Sequence, residues 1–541
     1  MGPERHALPF LICAALAASP GAEARAEGAS AQKSAPMSAI DWLSRSVVTP
    51  AAMAPGALPG SHATPAPGHG ARAGEPPVSG GVSLEDVSVA SLDTPSANAL
   101  GLLPTARTGL PPDLWGTTPE ADLAAALHKE RLDTLPAVQS FLIELLLAEL
   151  RPPVTPAPEG RNVLFLARID RLLDIGALEP ALAMLEAADT TDPEIFRRHF
   201  DTALLLGQED EACKVMEETP ALAPSYPARI FCLARRGDWQ AAALTFDTGA
   251  TLGQIEPDLE PLLARFLDPE LAEGAEDLPP PARPSPLVFR MMEAIGQPLP
   301  TGPLPVAFAQ SDLRSNTGWK AQIEAAERLT RMGALDPNQL LGLYTQQRAA
   351  ASGGVWDRVS LVSDLDAALG AGRAARVAQL LPATFDAMQA QELEPALAEL
   401  YGARVAALGL PYEPGALAFR LGLLSEEFEA VAAARTPADL DERLLIGLAR
   451  GATAGVPAQD QLGLVLKQVF DAPPAAVPAP YQALLPGQLG LALLSAIDDV
   501  TEGAKGDYPR VVNGLNLLRY TGLETLARRA ALELVILERN G

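Results

Sequence analysis

A glycine-centred pattern, which occurs three times between residues 161 and 268, constrains the fold more than any other feature of the sequence. It is built on Gly176, Gly207 and Gly237, which follow one another at intervals of 31 and 30 residues. Apolar or aromatic residues stand eleven, seven and four positions before each glycine, and an alanine stands five positions after it. Such offsets place the apolar residues on one face of a helix before the glycine and on one face of a second helix after it. The pattern therefore predicts three helix pairs, each with a left-handed glycine at the end of its first helix.

The same register appears in the C-terminal half of the chain, around Gly372 and Gly522. Aromatic residues make up only 5% of the sequence, while alanine and leucine are abundant, which favours helices over sheets. We therefore predict an all-α fold with two arrays of helix-turn-helix repeats. The expected organisation is a signal peptide at 1–24, a disordered or extended arm rich in Ala, Pro and Gly at 25–115, a first array at 116–268, a Pro-rich linker at 269–317 and a second array at 318–541.

The N-terminus has the composition of a secretory signal peptide. An apolar run from Ala7 to Ala18 follows Arg5, and residues 22–24 fit an A-x-A cleavage site, with 24–26 as a second choice. The run is too short to span a bilayer. We expect a periplasmic or secreted protein without stable membrane insertion.

Two cysteines remain after cleavage at this site, Cys213 and Cys232, and both fall on predicted helices that follow one another. An oxidising compartment permits a disulfide between them. Alternatively, both are buried thiols that act as small apolar side chains. The sequence leaves these two interpretations open.

The predicted arm consists of Ala, Pro, Gly and Ser up to about residue 81, a composition that cannot offset the entropy lost on ordering. One apolar island interrupts it, where Ile40, Trp42 and Leu43 lie close together. This island is either a docking motif for the groove of a partner or a segment that folds back on the body of the chain.

Charge and missing motifs exclude several classes of function. The chain has 41 Lys and Arg against 67 Asp and Glu, a net charge of -26, which argues against nucleic-acid and membrane-surface roles. The sequence contains no G-x-S-x-G elbow, no Walker phosphate loop and no H-E-x-x-H motif. The acidic pairs 426–427 and 498–499 are adjacent, so their side chains diverge on a helix. We expect no catalytic residues, no cofactor and no metal site.

A ladder of basic residues is the main candidate for partner binding. Arg168, His199 and Arg229 each stand eight positions before a repeat glycine, so stacked repeats place them at equivalent positions. They either line one edge of a groove and attract an acidic peptide, or they border the core and pair with acids of the array. Trp356, after the turn-forming Gly353 and Gly354, is a second candidate, and the start of a helical core face is the alternative.

The glycine, alanine and aromatic positions resemble the tetratricopeptide (TPR) and related helix-turn-helix repeats, with a period shorter than about 34 residues. This resemblance implies a superhelix that binds partner segments. The chain also resembles uncharacterised alphaproteobacterial envelope proteins sometimes labelled antifreeze-glycopeptide-related, in the segments 101–104, 114–115 and 339–344. Our leading hypothesis is a non-catalytic periplasmic scaffold that binds protein or peptide partners. The alternative is a cell-envelope enzyme acting on peptidoglycan, or a regulatory subunit of one.

Overall fold

Helices form the regular structure of the protein in a computed structural model, which describes residues 96–156 and 162–537. The all-α prediction is confirmed, and the β-structure of the described residues is limited to two isolated bridges. The predicted signal peptide, Trp42 and the rest of the arm up to residue 95 lie outside the described residues.

The helices of the N-terminal half are α1 Thr105–Thr108, α2 Glu120–Lys129, α3 Pro136–Leu147, α4 Val163–Ile175, α5 Leu178–Glu186, α6 Pro193–Leu206, α7 Glu209–Glu218, α8 Tyr226–Arg235, α9 Trp239–Thr251, α10 Glu260–Leu267 and α11 Pro286–Ala294. Those of the C-terminal half are α12 Trp319–Arg331, α13 Pro337–Thr345, α14 Val355–Gly370, α15 Ala374–Gln389, α16 Glu394–Ala406, α17 Tyr412–Leu423, α18 Phe428–Ala434, α19 Leu440–Arg450, α20 Gln461–Phe470, α21 Leu489–Gly503, α22 Tyr508–Tyr520 and α23 Glu524–Ile536. Short 3-10 helices lie at Ala97–Ala99, Pro220–Leu222, Pro269–Ala272, Val306–Leu313 and Ala479–Tyr481.

Consecutive helices pack against each other along the chain, and the predicted glycines separate the members of the first three pairs. Gly176, Gly207 and Gly237 have φ values of 86°, 73° and 86°, a region that favours glycine. The alanine five positions after each glycine is fully buried, as the spacing predicts, and the two helices of each pair contact each other. Sequential helix-pair packing is therefore confirmed.

The apolar core of the described residues has two main clusters. The larger one joins α2–α5 to the helices of the C-terminal half, and the smaller one lies within 182–292. Helix α3 packs against α23, and α2 packs against α21. The carboxylate of Glu533 on α23 accepts hydrogen bonds from the N–H of Ala137 at 2.9 and 3.0 Å. The first helices of the described chain are thus held against its last ones.

Residues 96–115, which belong to the predicted arm, pack onto this core. Trp115 is fully buried, and the carbonyl of Leu114 accepts a hydrogen bond from the N–H of Gly490 at 2.8 Å. A Cβ at Gly490 would lie only 2.5 Å from the indole ring of Trp115, so the two segments touch closely. The proline and glycine content of this stretch is compatible with order because distant helix ends satisfy part of its backbone: the carbonyl of Leu147 on α3 accepts from the N–H groups of Leu102 and Leu103, and Gly490 lies at the start of α21.

Part of the predicted linker is also integrated into the body. Helix α11 begins at Pro286, and the hydroxyl of Ser285 caps it by accepting from the N–H of Val288. Proline favours the first turn of a helix, where its missing N–H costs no hydrogen bond. Phe289 on α11 packs edge-to-face against Phe308, with ring centroids 5.3 Å apart. These prolines start structure here rather than interrupt it.

None of the helices within 96–156 and 162–537 combines the length and apolarity needed to cross a membrane.

Candidate partner-binding groove

A groove of about 350 Å³ lies between α7 and α8 in the first array, and we call it the disulfide groove. Its lining residues are Cys213, Met216, Glu217, Pro220, Arg229, Cys232, Leu233, Arg236 and Asp238. Met216, Leu233 and the cystine supply apolar surface, while two arginines and two acids supply charge. The volume falls within the range of small ligand sites in proteins, at roughly 300–1,000 Å³.

The two cysteines are joined. Cys213 on α7 and Cys232 on α8 form a disulfide with Cα atoms 5.2 Å apart, across a sequence separation of 19 residues. The bond therefore ties the two walls of the groove together. It is consistent with an oxidising compartment.

Most arginines of the first array are paired with acids. The pairs are Arg131–Asp133, Arg131–Glu502, Arg171–Asp174, Arg197–Glu194, Arg198–Asp170, Arg198–Glu194, Arg235–Glu209, Arg235–Asp210 and Arg236–Glu217. Arg229 differs from this set, because its guanidinium makes no hydrogen bond or ion pair within the part of the chain that the structure describes. It is half-buried and lines the disulfide groove. Arg151 and Arg265 likewise have no ion pair within the described residues of this array, but of these three arginines Arg229 is the one that lines the disulfide groove.

Arg168 occupies the equivalent position on α4 but is fully buried. Its guanidinium donates to the carbonyls of Leu146, Leu100 and Ala148, each at 2.8 Å, and to that of Asn98 at 3.3 Å. Burial lowers the pKa of Arg168 to about 10, so the side chain is still charged at neutral pH. In this structure it fastens α4 to the end of α3 and to the segment before α1, with no surface open to a partner.

His199, the middle residue of the ladder, is also buried. Its ring meets the ring of Phe196 edge-on, with centroids 6.2 Å apart, and burial lowers the pKa of the imidazole. Arg168, His199 and Arg229 therefore do not form a row of exposed cations. Of the three, Arg229 alone lies at a groove.

Trp356 is half-buried at the start of α14. Its ring packs against that of Trp319, with centroids 5.0 Å apart, and both tryptophans contact the large core cluster. Gly353 and Gly354 form an exposed turn before it, with φ values of 94° and 57°. These contacts agree with the alternative interpretation, in which Trp356 begins the core face of a helix and does not anchor a partner. Trp42, the other predicted anchor, falls in the part of the chain that is not described.

Exposed apolar side chains that the sequence did not indicate lie on the helix that follows the disulfide groove. Helix α9 starts directly after Asp238, and the buried residues of this helix are Ala242 and Gly249. Trp239 and Leu244 are 48% and 69% exposed, and Leu252 just beyond the helix is exposed as well. The helix repeat predicted a core face on α9 but did not predict these exposed apolar side chains, which lie among exposed polar residues such as Gln240, Asp247 and Thr248.

A smaller cavity of about 180 Å³ lies between the end of α2 and α21. Glu130 lines it, and burial, with a further contribution from Asp498, raises the pKa of this carboxyl to about 8. Asp498 and Asp499 also line it, but both pair with Arg510, at 2.8 and 2.6 Å. The sequence missed Glu130 because a charged residue at the end of a helix is ordinarily solvated.

Within the described residues, no group of three or more His, Cys, Asp or Glu side chains is placed to hold a metal ion. Comparison with known protein families, with curated proteins and with solved structures found no match for this chain. The family resemblances inferred from the sequence are thus supported only at the level of an all-helical protein with packed helix pairs.

Proposed function

We propose that this chain is a periplasmic, non-catalytic scaffold of TPR-like helix pairs that binds a protein or peptide partner in the disulfide groove. One observation carries the proposal. Arg229 lines an open groove without an acidic partner among the described residues. By contrast, Arg235 and Arg236 at the C-terminal end of α8 are both paired.

The chemistry of the groove defines the partner segment. A guanidinium presents several N–H donors in a plane that matches a carboxylate, and it does so best where water is partly excluded. The neighbouring surface of Met216, Leu233 and the cystine accepts an apolar side chain. The expected ligand is therefore a short segment with a carboxylate next to an apolar residue.

The exposed face of α9 supports the same function. Trp239 is the kind of residue that contributes most to interfaces, and it lies at the edge of the groove. A partner that fills the disulfide groove has room to continue across this face.

The location in the periplasm rests on two independent features. Residues 1–24 have the composition of a secretory signal, and the Cys213–Cys232 bond is consistent with an oxidising compartment.

A pull-down from periplasmic extract with the full mature chain tests this function. The baits are the wild-type protein, Arg229→Glu, and the control Arg348→Glu, which reverses an exposed arginine after α13 and causes the same change in net charge. Reversal of a charge at the rim of an interface weakens binding by at least about tenfold when that charge faces a carboxylate. We expect a partner that wild type and Arg348→Glu retain and that Arg229→Glu loses.

The result has a direct structural control. All three baits must give the same far-UV circular dichroism and melting temperature, since Arg229 has no internal partner whose loss would destabilise the fold. Equal capture by the three baits, or capture of nothing by wild type, would contradict the assignment of the disulfide groove as the binding site.

A further inference from the structure

A second large cavity, of about 350 Å³, lies far along the chain from the disulfide groove, and we call it the acidic pocket. Five separate stretches of sequence form its walls. They are residues 136–140, 330–337, 392–399, 424–426 and 529–533. The pocket is thus built where α3 packs against α23 and where the N-terminal ends of α13 and α16 approach them.

Acidic side chains outnumber basic ones around this pocket. The acids are Asp336, Glu392, Glu399, Glu426 and Glu533, and the bases are Arg331 and Arg529. When all of them are ionised, the lining carries an excess of three negative charges. Such crowding raises the electrostatic energy of the site unless a cation enters it.

Some of these acids already have structural roles. Glu533 accepts from the N–H of Ala137, and Asp336 caps α13 by accepting from the N–H of Asn338 at 2.7 Å. Glu399 and Glu426 make no hydrogen bond or ion pair with another residue of the described ranges. Burial raises the pKa of Glu399, the charges of Asp336 and Glu426 raise it further, and Arg529 opposes this. Glu399 and Glu426, both exposed at the pocket, are therefore the lining acids without a direct partner in the described chain.

Buried polar atoms without partners supply an independent sign of a ligand. Thr330 is 8% exposed and Gln139 is 4% exposed, and both line the acidic pocket. The hydroxyl of Thr330 and the Oε1 atom of Gln139 have no hydrogen-bond partner among the described residues. Proteins seldom leave such atoms unsatisfied, because each loses its hydrogen bonds to water on burial. Both atoms can accept a hydrogen bond from an N–H donor.

The size of the cavity separates classes of cation. A single hydrated metal ion would occupy a small part of 350 Å³, whereas a small organic molecule fills a volume of this order. An alkylammonium ion carries three N–H donors and a positive charge, which match acceptors on a buried wall and carboxylates at the mouth.

We propose that the acidic pocket binds a small organic cation with at least one primary ammonium group, which Glu399 and Glu426 neutralise and to which Thr330 and Gln139 accept hydrogen bonds. The site is separate from the disulfide groove and does not depend on the function proposed for it. An ammonium group also occurs at the end of a lysine side chain, so the free amine and a lysine of a partner protein have to be distinguished by experiment.

Isothermal titration of the full chain at fixed ionic strength tests the proposal. The probe is 1,5-diaminopentane, and the comparison compounds are the neutral 1,5-pentanediol, magnesium chloride, and a capped Gly-Lys-Gly peptide. We expect saturable binding of the diamine, no binding of the diol, and weaker binding of the peptide than of the diamine. Tighter binding of the peptide than of the diamine would overturn the free-amine assignment. Magnesium binding that displaces the diamine would overturn the class of ligand.

Two sets of variants locate the site. Glu399→Gln with Glu426→Gln removes two charges of the pocket, and we expect it to weaken diamine binding at least about tenfold. The matched control is Glu413→Gln with Glu276→Gln, which removes two exposed glutamates elsewhere and should change the affinity less than about twofold.

Thr330→Val preserves the shape of a buried side chain while it removes the hydroxyl. We expect it to weaken diamine binding by about threefold to tenfold without loss of the melting temperature, since no internal hydrogen bond is broken. Absence of saturable diamine binding to wild type, or the same affinity in the pocket and control double variants, would overturn the proposal.

Discussion

Replacement of Glu130 by glutamine should remove a large pH dependence from the stability of this protein. Glu130 terminates α2 and is only 6% exposed. Burial is the main cause that raises the pKa of its carboxyl to about 8 from the usual 4.5. Asp498 adds to this effect, while Arg171 and Lys129 oppose it. The folded protein therefore keeps a proton on Glu130 at neutral pH, whereas the unfolded chain releases it.

The sign follows from proton linkage. Below about pH 4.5 both states hold the proton, so Glu130 contributes no pH dependence there. Between about pH 4.5 and 8 only the folded state holds it, so the free energy of unfolding falls as the pH rises. At ~1.36 kcal/mol for each pKa unit, the loss attributable to this one group is about 3 to 4 kcal/mol between pH 5 and pH 8.

Urea unfolding, followed by circular dichroism at several pH values, measures this effect. Glutamine has nearly the same shape and stays neutral, so the difference in free energy of unfolding between Glu130→Gln and wild type should grow by that amount from pH 5 to pH 8. Glu413→Gln, an exposed glutamate on α17, is the control and should follow wild type throughout. If wild type and Glu130→Gln keep a constant difference over this range, the carboxyl is not protonated in the folded protein and the reasoning fails.

Two further predictions concern the first array. Cys213→Ser should lower the free energy of unfolding by about 3 kcal/mol, since the bond closes a loop of some 20 residues. A reductant should destabilise wild type by a similar amount in urea unfolding and leave the variant unchanged. If the urea midpoint of wild type is the same with and without reductant, the bond does not stabilise the fold. Asp170→Asn should cost about 3 kcal/mol, because the buried Arg198, paired with Asp170 at 2.6 and 2.8 Å, is left with only the half-exposed Glu194 as an acidic partner. The double variant with Arg198→Met should recover much of that loss, and a single variant as stable as wild type would refute the role of the pair.

The helix pairs were predictable because their signal is local. A left-handed glycine and apolar residues at helical spacing specify a turn and two buried faces within about 25 residues, and each of the three glycines takes that conformation. The prolines near Pro286 suggested a linker where the structure has a helix. Composition alone does not distinguish a proline that begins a helix from one that interrupts it. The Ser285 cap directly before Pro286, and four positions before the buried Phe289, is a signal that could have separated these cases.

The cavities could not be predicted in the same way. The acidic pocket combines Gln139 with residues nearly 400 positions later, such as Arg529, and nothing in the spacing of either segment refers to the other. The raised pKa of Glu130 likewise depends on burial against α21, more than 350 residues away along the chain. Local periodicity predicts which faces are buried, but it does not predict which distant face covers them.

The basic ladder illustrates how far repetition can be extended to function. Arg168 and Arg229 hold the same position in their repeats, yet the first is fully buried and the second lies at a groove. The difference arises outside the repeats, because the segment 98–100 and the end of α3 cover Arg168 with carbonyl oxygens, while no such segment covers Arg229 in the described chain. Equivalent positions in the repeats therefore share a backbone conformation, but different segments of the chain pack over their side chains. In this array, a basic residue of the ladder can bind a partner only where no other segment of the chain covers its side chain, and among the three residues Arg229 meets this condition.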